Sequence, residues 1–212
     1  MIVLGLTGSI GMGKTTTAAL FAEEGARVHD ADATVHRLYA RDGTAVGPIA
    51  EAFPGAVAAG VVDRRALAAL IAGDPDALKR LEGIVHPLVA AERETFLAEA
   101  KAQGAAVAVL DVPLLFESGL HQGVDAIVVA SAPQEVQRAR VLARPDMTPD
   151  RLEVLLGRQT PDAEKRERAD FVVDTSRGLG AARVQVRRIL ATVASPAWRA
   201  NRRLADPGEA SH

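Results

Sequence analysis

Cysteine is absent from the 212 residues. That excludes disulfide scaffolds and thiolate metal sites, and it fits a reducing compartment. Charge of one sign is lacking as well. Lys and Arg total 25 against 27 Asp and Glu, a formal net charge of −2, so no bulk attraction to nucleic acid or to an anionic membrane surface is expected. No apolar run approaches the roughly 20 residues that span a bilayer. The opening Met1-Ile2-Val3-Leu4-Gly5 has no basic n-region, and it reads as a mature cytoplasmic start. Internal repeats and low-complexity segments are missing too. What is there, 48% apolar and 25% charged residues, is the balance of an ordinary globular chain, long enough for one domain with a substantial core.

Five short runs read as strands: Ile2–Leu6, Arg27–His29, Ala106–Leu110, Ala126–Ala130 and Phe171–Val173. Most are continuously apolar, which implies burial on both faces. Stretches of helical period lie between them, among them Lys14–Glu24, Arg64–Ile71, Pro87–Ala102, Gln134–Leu142 and Arg151–Arg158. Strand alternating with helix predicts an α/β fold with a parallel sheet covered on both sides. Two regions look inserted: 42–103, with helices but no convincing strand, and 138–168, rich in charge and carrying Pro145, Pro149 and Pro161. The expected plan is one domain over 1–200. Its core comprises about 1–41, 104–137 and 169–194. A polar tail, 195–212, is expected to fray, with Trp198 able to pin its first turn.

Gly8-Ser9-Ile10-Gly11-Met12-Gly13-Lys14-Thr15 matches G-x-x-x-x-G-K-[ST], the phosphate-loop pattern. An apolar strand precedes it and a helical stretch follows, the setting the motif needs. Glycines let the backbone curl around phosphate oxygens, successive N–H groups point inward, and the helix start adds a positive dipole end. Lys14 can reach β and γ phosphates, the Thr15 hydroxyl can ligate Mg²⁺, and Thr16 continues the same turn. A guanine-reading Asn-Lys-x-Asp element is excluded, because the only asparagine is Asn201. A transporter-type Ser-Gly-Gly signature is absent as well. A phosphate loop with two inserts fits a small-molecule kinase, one insert forming an acceptor lobe and the other a lid.

Three further elements could carry chemistry. Asp30-Ala31-Asp32 follows the second strand, where carboxylates face the ligand crevice of an open sheet. Asp30 suits a helix N-cap and Asp32 an acceptor-side base, though spacing alone leaves both roles open. Asp111 ends the third strand, where P-loop proteins usually place a Mg²⁺-associated carboxylate; metal binding and substrate positioning both remain open. The apolar continuation Val112-Pro113-Leu114-Leu115-Phe116-Glu117 is either an acceptor wall, with Leu115 in it, or a buried turn. Arg140 and Arg144 lie four apart on one predicted helix face, ended by Pro145. They can serve as bidentate phosphate ligands or as a solvated face, and from spacing alone the solvated face is favoured.

Together these motifs resemble the dephospho-CoA kinases from Ile2 to about Ser176. The match adds Val62-Asp63-Arg64, Ile84-Val85-His86-Pro87, Gln159, Glu164-Lys165 and Ala169-Asp170-Phe171-Val172-Val173-Asp174. The resemblance implies a three-layer P-loop kinase fold with a five-stranded parallel sheet, a helical acceptor-binding insert and a lid. It implies ATP-dependent phosphorylation of the ribose 3′-hydroxyl of dephospho-CoA, with Mg²⁺. A cytoplasmic monomer or small homo-oligomer is expected. Asp32 becomes the favoured base, Lys14 and Arg140 the other catalytic groups, and Arg144 a phosphate contact. Arg64, His86, Asp111 and Leu115 are assigned to the acceptor, and Thr15 and Asp111 to the metal. His86 has a structural hydrogen bond as its other reading. Ser9 and Met12 stand where glycine and serine are common. Pro145 interrupts what is often an Arg-Asp pair, and Thr175 replaces an asparagine common near the adenine. Another small-molecule or nucleoside-monophosphate kinase is the runner-up, and a non-catalytic nucleotide-binding regulator the third reading.

Overall fold

The structure, a computed structural model, describes residues 1–198. The chain divides into two compact units, one made of residues 1–29 with the chain from Ala100 onward and the other of Asp30–Glu99.

The first unit is built on a five-stranded parallel sheet in the order β2-β5-β1-β6-β7. Its strands are β1 (Ile2–Thr7), β2 (Arg27–Asp30), β5 (Val107–Asp111), β6 (Ala126–Ser131) and β7 (Phe171–Asp174). Each runs one residue beyond the apolar stretch read from sequence, ending on Thr7, Asp30, Asp111, Ser131 or Asp174. Backbone pairing continues where hydrophobicity stops, because the ladder uses only main-chain groups. The central strand β1 pairs on both sides, Leu4 with Val109 and with Ala126. Alternation along β1 sorts its faces. Leu4 and Leu6 join Phe21 of α1 (Lys14–Glu23) and Val186, Ile189 and Val193 of α9 (Gly178–Ala194) in one cluster. Gly5 faces the other way, where a Cβ would stand 2.8 Å from Leu115 Cδ2. Ser195 terminates α9, and Trp198 packs on Phe171 with ring centroids 6.4 Å apart; the rest of the expected tail, 199–212, lies outside the described residues.

The Asp30–Glu99 unit holds α2 (Ala31–Tyr39), α3 (Val46–Ala52), a hairpin of β3 (Val57–Ala58) and β4 (Val61–Val62), α4 (Arg64–Ile71) and most of α5 (Pro75–Ala102). Its core gathers Leu38, Ile49, Phe53, Val62, Leu67, Leu81 and Val85. Two expectations are corrected here. The hairpin was not foreseen: its strands are two residues each, too short for a period, and the turn is made at Ala59 and Gly60 with φ of 50° and 75°. The helix expected to start at Pro87 instead starts at Pro75 and runs through Pro87. Proline inside a helix costs about 3 kcal/mol, but the apolar face Ala77, Leu81, Ile84, Val85, Leu88 and Val89 packs on the core on both sides of it. Several such burials, at about 1.5–3 kcal/mol each, outweigh that cost.

Candidate active site

The phosphate loop connects β1 to α1 at the carboxyl edge of the sheet. Gly11 and Gly13 both have left-handed backbone, φ 78° and 87°. An added Cβ would lie 2.4 Å from Val141 Cγ2 at Gly11, and 3.0 Å from Thr175 at Gly13. Only glycine meets both demands, the conformation and the close approach. Met12 and Ser9 point inward and are buried, and the Ala132 N–H lies 3.2 Å from Met12 Sδ. Thr15 and Thr16 are exposed in the first turn of α1.

Lys14 Nζ donates to Asp111 Oδ1 at 2.7 Å. The lysine side chain is 15% exposed and the carboxylate 4%. The pair therefore sits at reduced dielectric, where charges interact more strongly than in water. The loop is held by side chains from far along the chain. Ile10 N–H donates to Gln159 Oε1 at 3.2 Å and Ile10 C=O accepts from Gln137 Nε2 at 2.8 Å. The Thr175 hydroxyl donates to Met12 O at 2.8 Å and accepts from Arg140 Nη1 at 2.9 Å. Arg140 Nη2 also reaches Thr175 O at 2.7 Å. Beside the loop, Asp174 takes the Ser176 hydroxyl and N–H on one oxygen, at 2.6 and 2.8 Å. Those bonds, the hydroxyl's foremost, hold its carboxyl below the usual range.

The predicted residues thus separate. Gly8–Thr16, Lys14, Asp111 and Arg140 come together at this edge. Arg140 lies on α6 (Gln134–Leu142), but the helix ends before Arg144. The expected shared face is therefore corrected: Pro145 disfavours helical backbone at the residue before it. Arg144 is exposed and forms no side-chain hydrogen bond or ion pair among the described residues. Leu115, expected in an acceptor wall, is fully buried beneath β1 and offers no surface to a ligand, whereas Leu114 is 44% exposed. The run after Asp111 is tethered in turn, Thr7 Oγ1 donating to Pro113 O at 3.0 Å.

Asp32, Arg64 and His86 belong to the Asp30–Glu99 unit. Asp30 Oδ1 caps α2 by accepting from Ala33 N–H at 2.9 Å, which leaves Asp32 exposed in the first turn with no side-chain hydrogen bond among the described residues. Arg64 opens α4, capped by Asp63, with its guanidinium 5.6 Å from the Tyr39 ring centroid. Burial raises the Tyr39 hydroxyl's pKa, and the charge of Arg64 partly offsets this. His86 is exposed midway along α5, with no hydrogen bond of its ring among the described residues.

The family model of dephospho-CoA kinases matches residues 2–180. The chain belongs to the dephospho-CoA kinase family. A dephospho-CoA kinase of Rhodopseudomonas palustris (strain ATCC BAA-98 / CGA009) is 59% identical over 194 residues, 92% of this chain and 96% of its own length. One of Brucella melitensis biotype 1 is 54% identical over 90% of this chain and 94% of its own. Among solved structures, TT1252 from Thermus thermophilus superposes with a TM-score of 0.76 at 37% identity, covering 90% of this chain and 96% of that one. The dephospho-CoA kinase from Campylobacter jejuni reaches 0.61 at 19% identity, with the same coverage, a likeness of fold. Within this dephospho-CoA kinase frame, sequence reasoning missed the role of Gln137 and Thr175 as partners of the loop backbone. No local pattern marks them, since their partners lie 127 and 163 residues away.

Proposed function

We propose that the chain transfers the γ-phosphoryl group of ATP to the ribose 3′-hydroxyl of dephospho-CoA, giving coenzyme A. The observation that carries this reading is the family match over residues 2–180 with the phosphate loop intact and Lys14 beside Asp111. The loop N–H groups and Lys14 bind and neutralise the donor phosphates. Asp32, in the first turn of α2 after the carboxyl end of β2, accepts or orients the proton of the attacking hydroxyl. Arg140 stiffens the loop through Thr175, and Arg144 is available to phosphate oxygens. Thr15 and Asp111 offer the hard oxygen donors that Mg²⁺ requires and would hold it, directly or through water. When bound, Mg²⁺ would supply charge neutralisation across the β and γ phosphates.

In this reading 42–103 serves as the acceptor lobe and 138–168 as the lid of one kinase domain. The protein works in the cytoplasm as a monomer or small homo-oligomer. No helix among the described residues is long and apolar enough to cross a membrane. The test is a coupled ADP-release assay with dephospho-CoA, AMP, adenosine and pantothenate as acceptors. Dephospho-CoA should turn over fastest, and faster turnover of any other acceptor would refute the assignment.

A further inference from the structure

Ile10 is pinned at both of its main-chain polar groups by side-chain amides, Gln159 on the N–H and Gln137 on the carbonyl. Gln137 is a buried residue of a regular helix, α6. Gln159 lies just past a helix end, its own N–H donating to Leu156 O at 3.0 Å. It sits in the connection between α7 (Pro149–Leu156) and α8 (Asp162–Glu167), and something must hold it in place.

Three contacts within the next six residues do so. The adjacent Thr160 N–H donates to Glu117 Oε1 at 2.7 Å. Lys165 Nζ lies 3.3 Å from the same oxygen, its side chain fully buried. Asp162 Oδ2 accepts from Ser131 Oγ at 2.7 Å. Residues 159–165 are therefore strapped to the phosphate loop, to the run after Asp111 and to the end of β6. Lys165 is the costly member. Its ammonium is out of water and, among the described residues, has the Glu117 ion pair but no hydrogen-bond acceptor. Apolar residues in place of both members of such a pair are often neutral for stability, whereas removing one member alone leaves the other charge without its partner and destabilises. What the pair does supply is position. It fixes Glu117, hence Thr160, hence the oxygen that Gln159 sets against the loop.

We propose that Gln159 is a positioning residue for phosphoryl transfer, holding the phosphate loop through the Ile10 N–H, and that the Glu117–Lys165 pair is its anchor. This rests on the kinase reading above for the reaction it serves. Transfer through a loose transition state depends on positioning more than on base strength, so a loop released at one end is expected to lose rate with the fold intact.

The experiment compares Gln159→Met, Gln159→Glu, Lys165→Met and the double variant Gln159→Met/Lys165→Met. Its readouts are kcat and KM for ATP with dephospho-CoA as acceptor, ATP affinity by calorimetry, the melting temperature, and the Ile10 amide resonance by NMR. Gln159→Met should lower kcat/KM for ATP about tenfold, the scale of one hydrogen bond, and shift the Ile10 resonance. Lys165→Met should do the same, at a lowered melting temperature because the Glu117 carboxylate loses its ion partner. The double variant should be no worse than the poorer single one, because both act through one contact. Gln159→Glu keeps the acceptor oxygen, so the Ile10 resonance should stay near its parental position, while the added charge raises KM for ATP.

An unmoved Ile10 resonance in Gln159→Met, parental activity in a folded Lys165→Met, or losses that multiply in the double variant would each overturn the proposal. Should Lys165→Met fail to fold, the resonance in Gln159→Met decides alone. Failure of the kinase reading looks different: the parent itself would not turn over dephospho-CoA, while ATP affinity and the Ile10 resonance would still report on the strap.

Discussion

Replacing Gly11 by alanine tests whether the geometry of the phosphate loop is as constrained as the contacts imply. Two costs add. An L-residue at φ 78° costs roughly 1–2 kcal/mol of backbone strain. The new Cβ would also stand 2.4 Å from Val141 Cγ2 and 3.1 Å from Gln137 O. Val141 is fully buried and has no solvent to swing into, so overpacking adds roughly 1–3 kcal/mol. The total, about 2–5 kcal/mol, corresponds to a melting temperature lower by about 4–20 °C in a chain of this size. Gly25 supplies the control. It has φ 92° and nothing within 4 Å of an added Cβ, so Gly25→Ala carries the backbone cost alone, a loss of about 2–8 °C. Thermal denaturation by circular dichroism and initial rates against ATP give both quantities. Gly11→Ala should lose more stability than Gly25→Ala and more than about tenfold in kcat/KM, with Gly25→Ala close to parental in rate. Adding Val141→Ala should restore part of the loss, since it removes the clashing methyl; the cycle of single and double variants isolates that coupling. Equal destabilisation of the two glycine variants, with no coupling to Val141, would refute the contact reasoning. Parental activity in Gly11→Ala would refute the demand on loop shape.

Other outcomes follow from single residues. Lys14→Ala should abolish transfer with an unchanged circular dichroism spectrum; equal activity would remove the loop from the mechanism. Asp32→Asn should lower kcat by about 10²–10⁴-fold, toward the low end for a loose transition state, with ATP affinity little changed. Asp30→Asn should be near parental in rate and stability, because asparagine caps α2 about as well. An inactive Asp30→Asn beside a normal Asp32→Asn would exchange the two roles, and two normal variants would make Asp111 the next candidate for the base. Acidification should destabilise the fold. Burial pushes the Glu117 carboxyl up, but the Thr160 N–H, its own backbone and Lys165 together bring it below the usual value, and Asp174 is lowered as well. For such groups the stabilisation is present above the unfolded pKa, about 4, and is lost as pH falls through the folded value. Melting temperatures from pH 6 to 3 should decline, less steeply in Asp174→Asn; a slope unchanged in that variant would assign the decline to other carboxylates.

What could be read from sequence, and what could not, follows from the range over which each signal acts. The strands were legible because burial on both faces leaves an apolar run, and the loop because its backbone demands glycine at fixed spacing. Asp30 as a cap was legible for the same local reason, since its partner is Ala33. Each strand nonetheless ended a residue later than its apolar run, and those terminal residues carry much of the site: Asp111 accepts from Lys14, Ser131 donates to Asp162, Asp174 accepts from Ser176 and Thr7 donates to Pro113. A hydrophobicity pattern stops where the chemistry starts, at the carboxyl edge of a parallel sheet. Pro87 misled for a different reason. Its local penalty is real, but the tertiary burial of Leu81, Val85 and their neighbours on either side of it is larger. Leu115 and Leu114 are adjacent in one apolar run, and which of them is buried is a tertiary matter: Leu115 packs where Gly5 on β1 carries no side chain. The clamps on the loop from Gln137, Gln159 and Thr175 leave no local pattern at all, since each becomes a partner only when strands distant in sequence meet in the sheet. A functional loop of this kind is thus specified twice: by its own glycines, which permit the curl, and by remote side chains, which select one curl among those permitted.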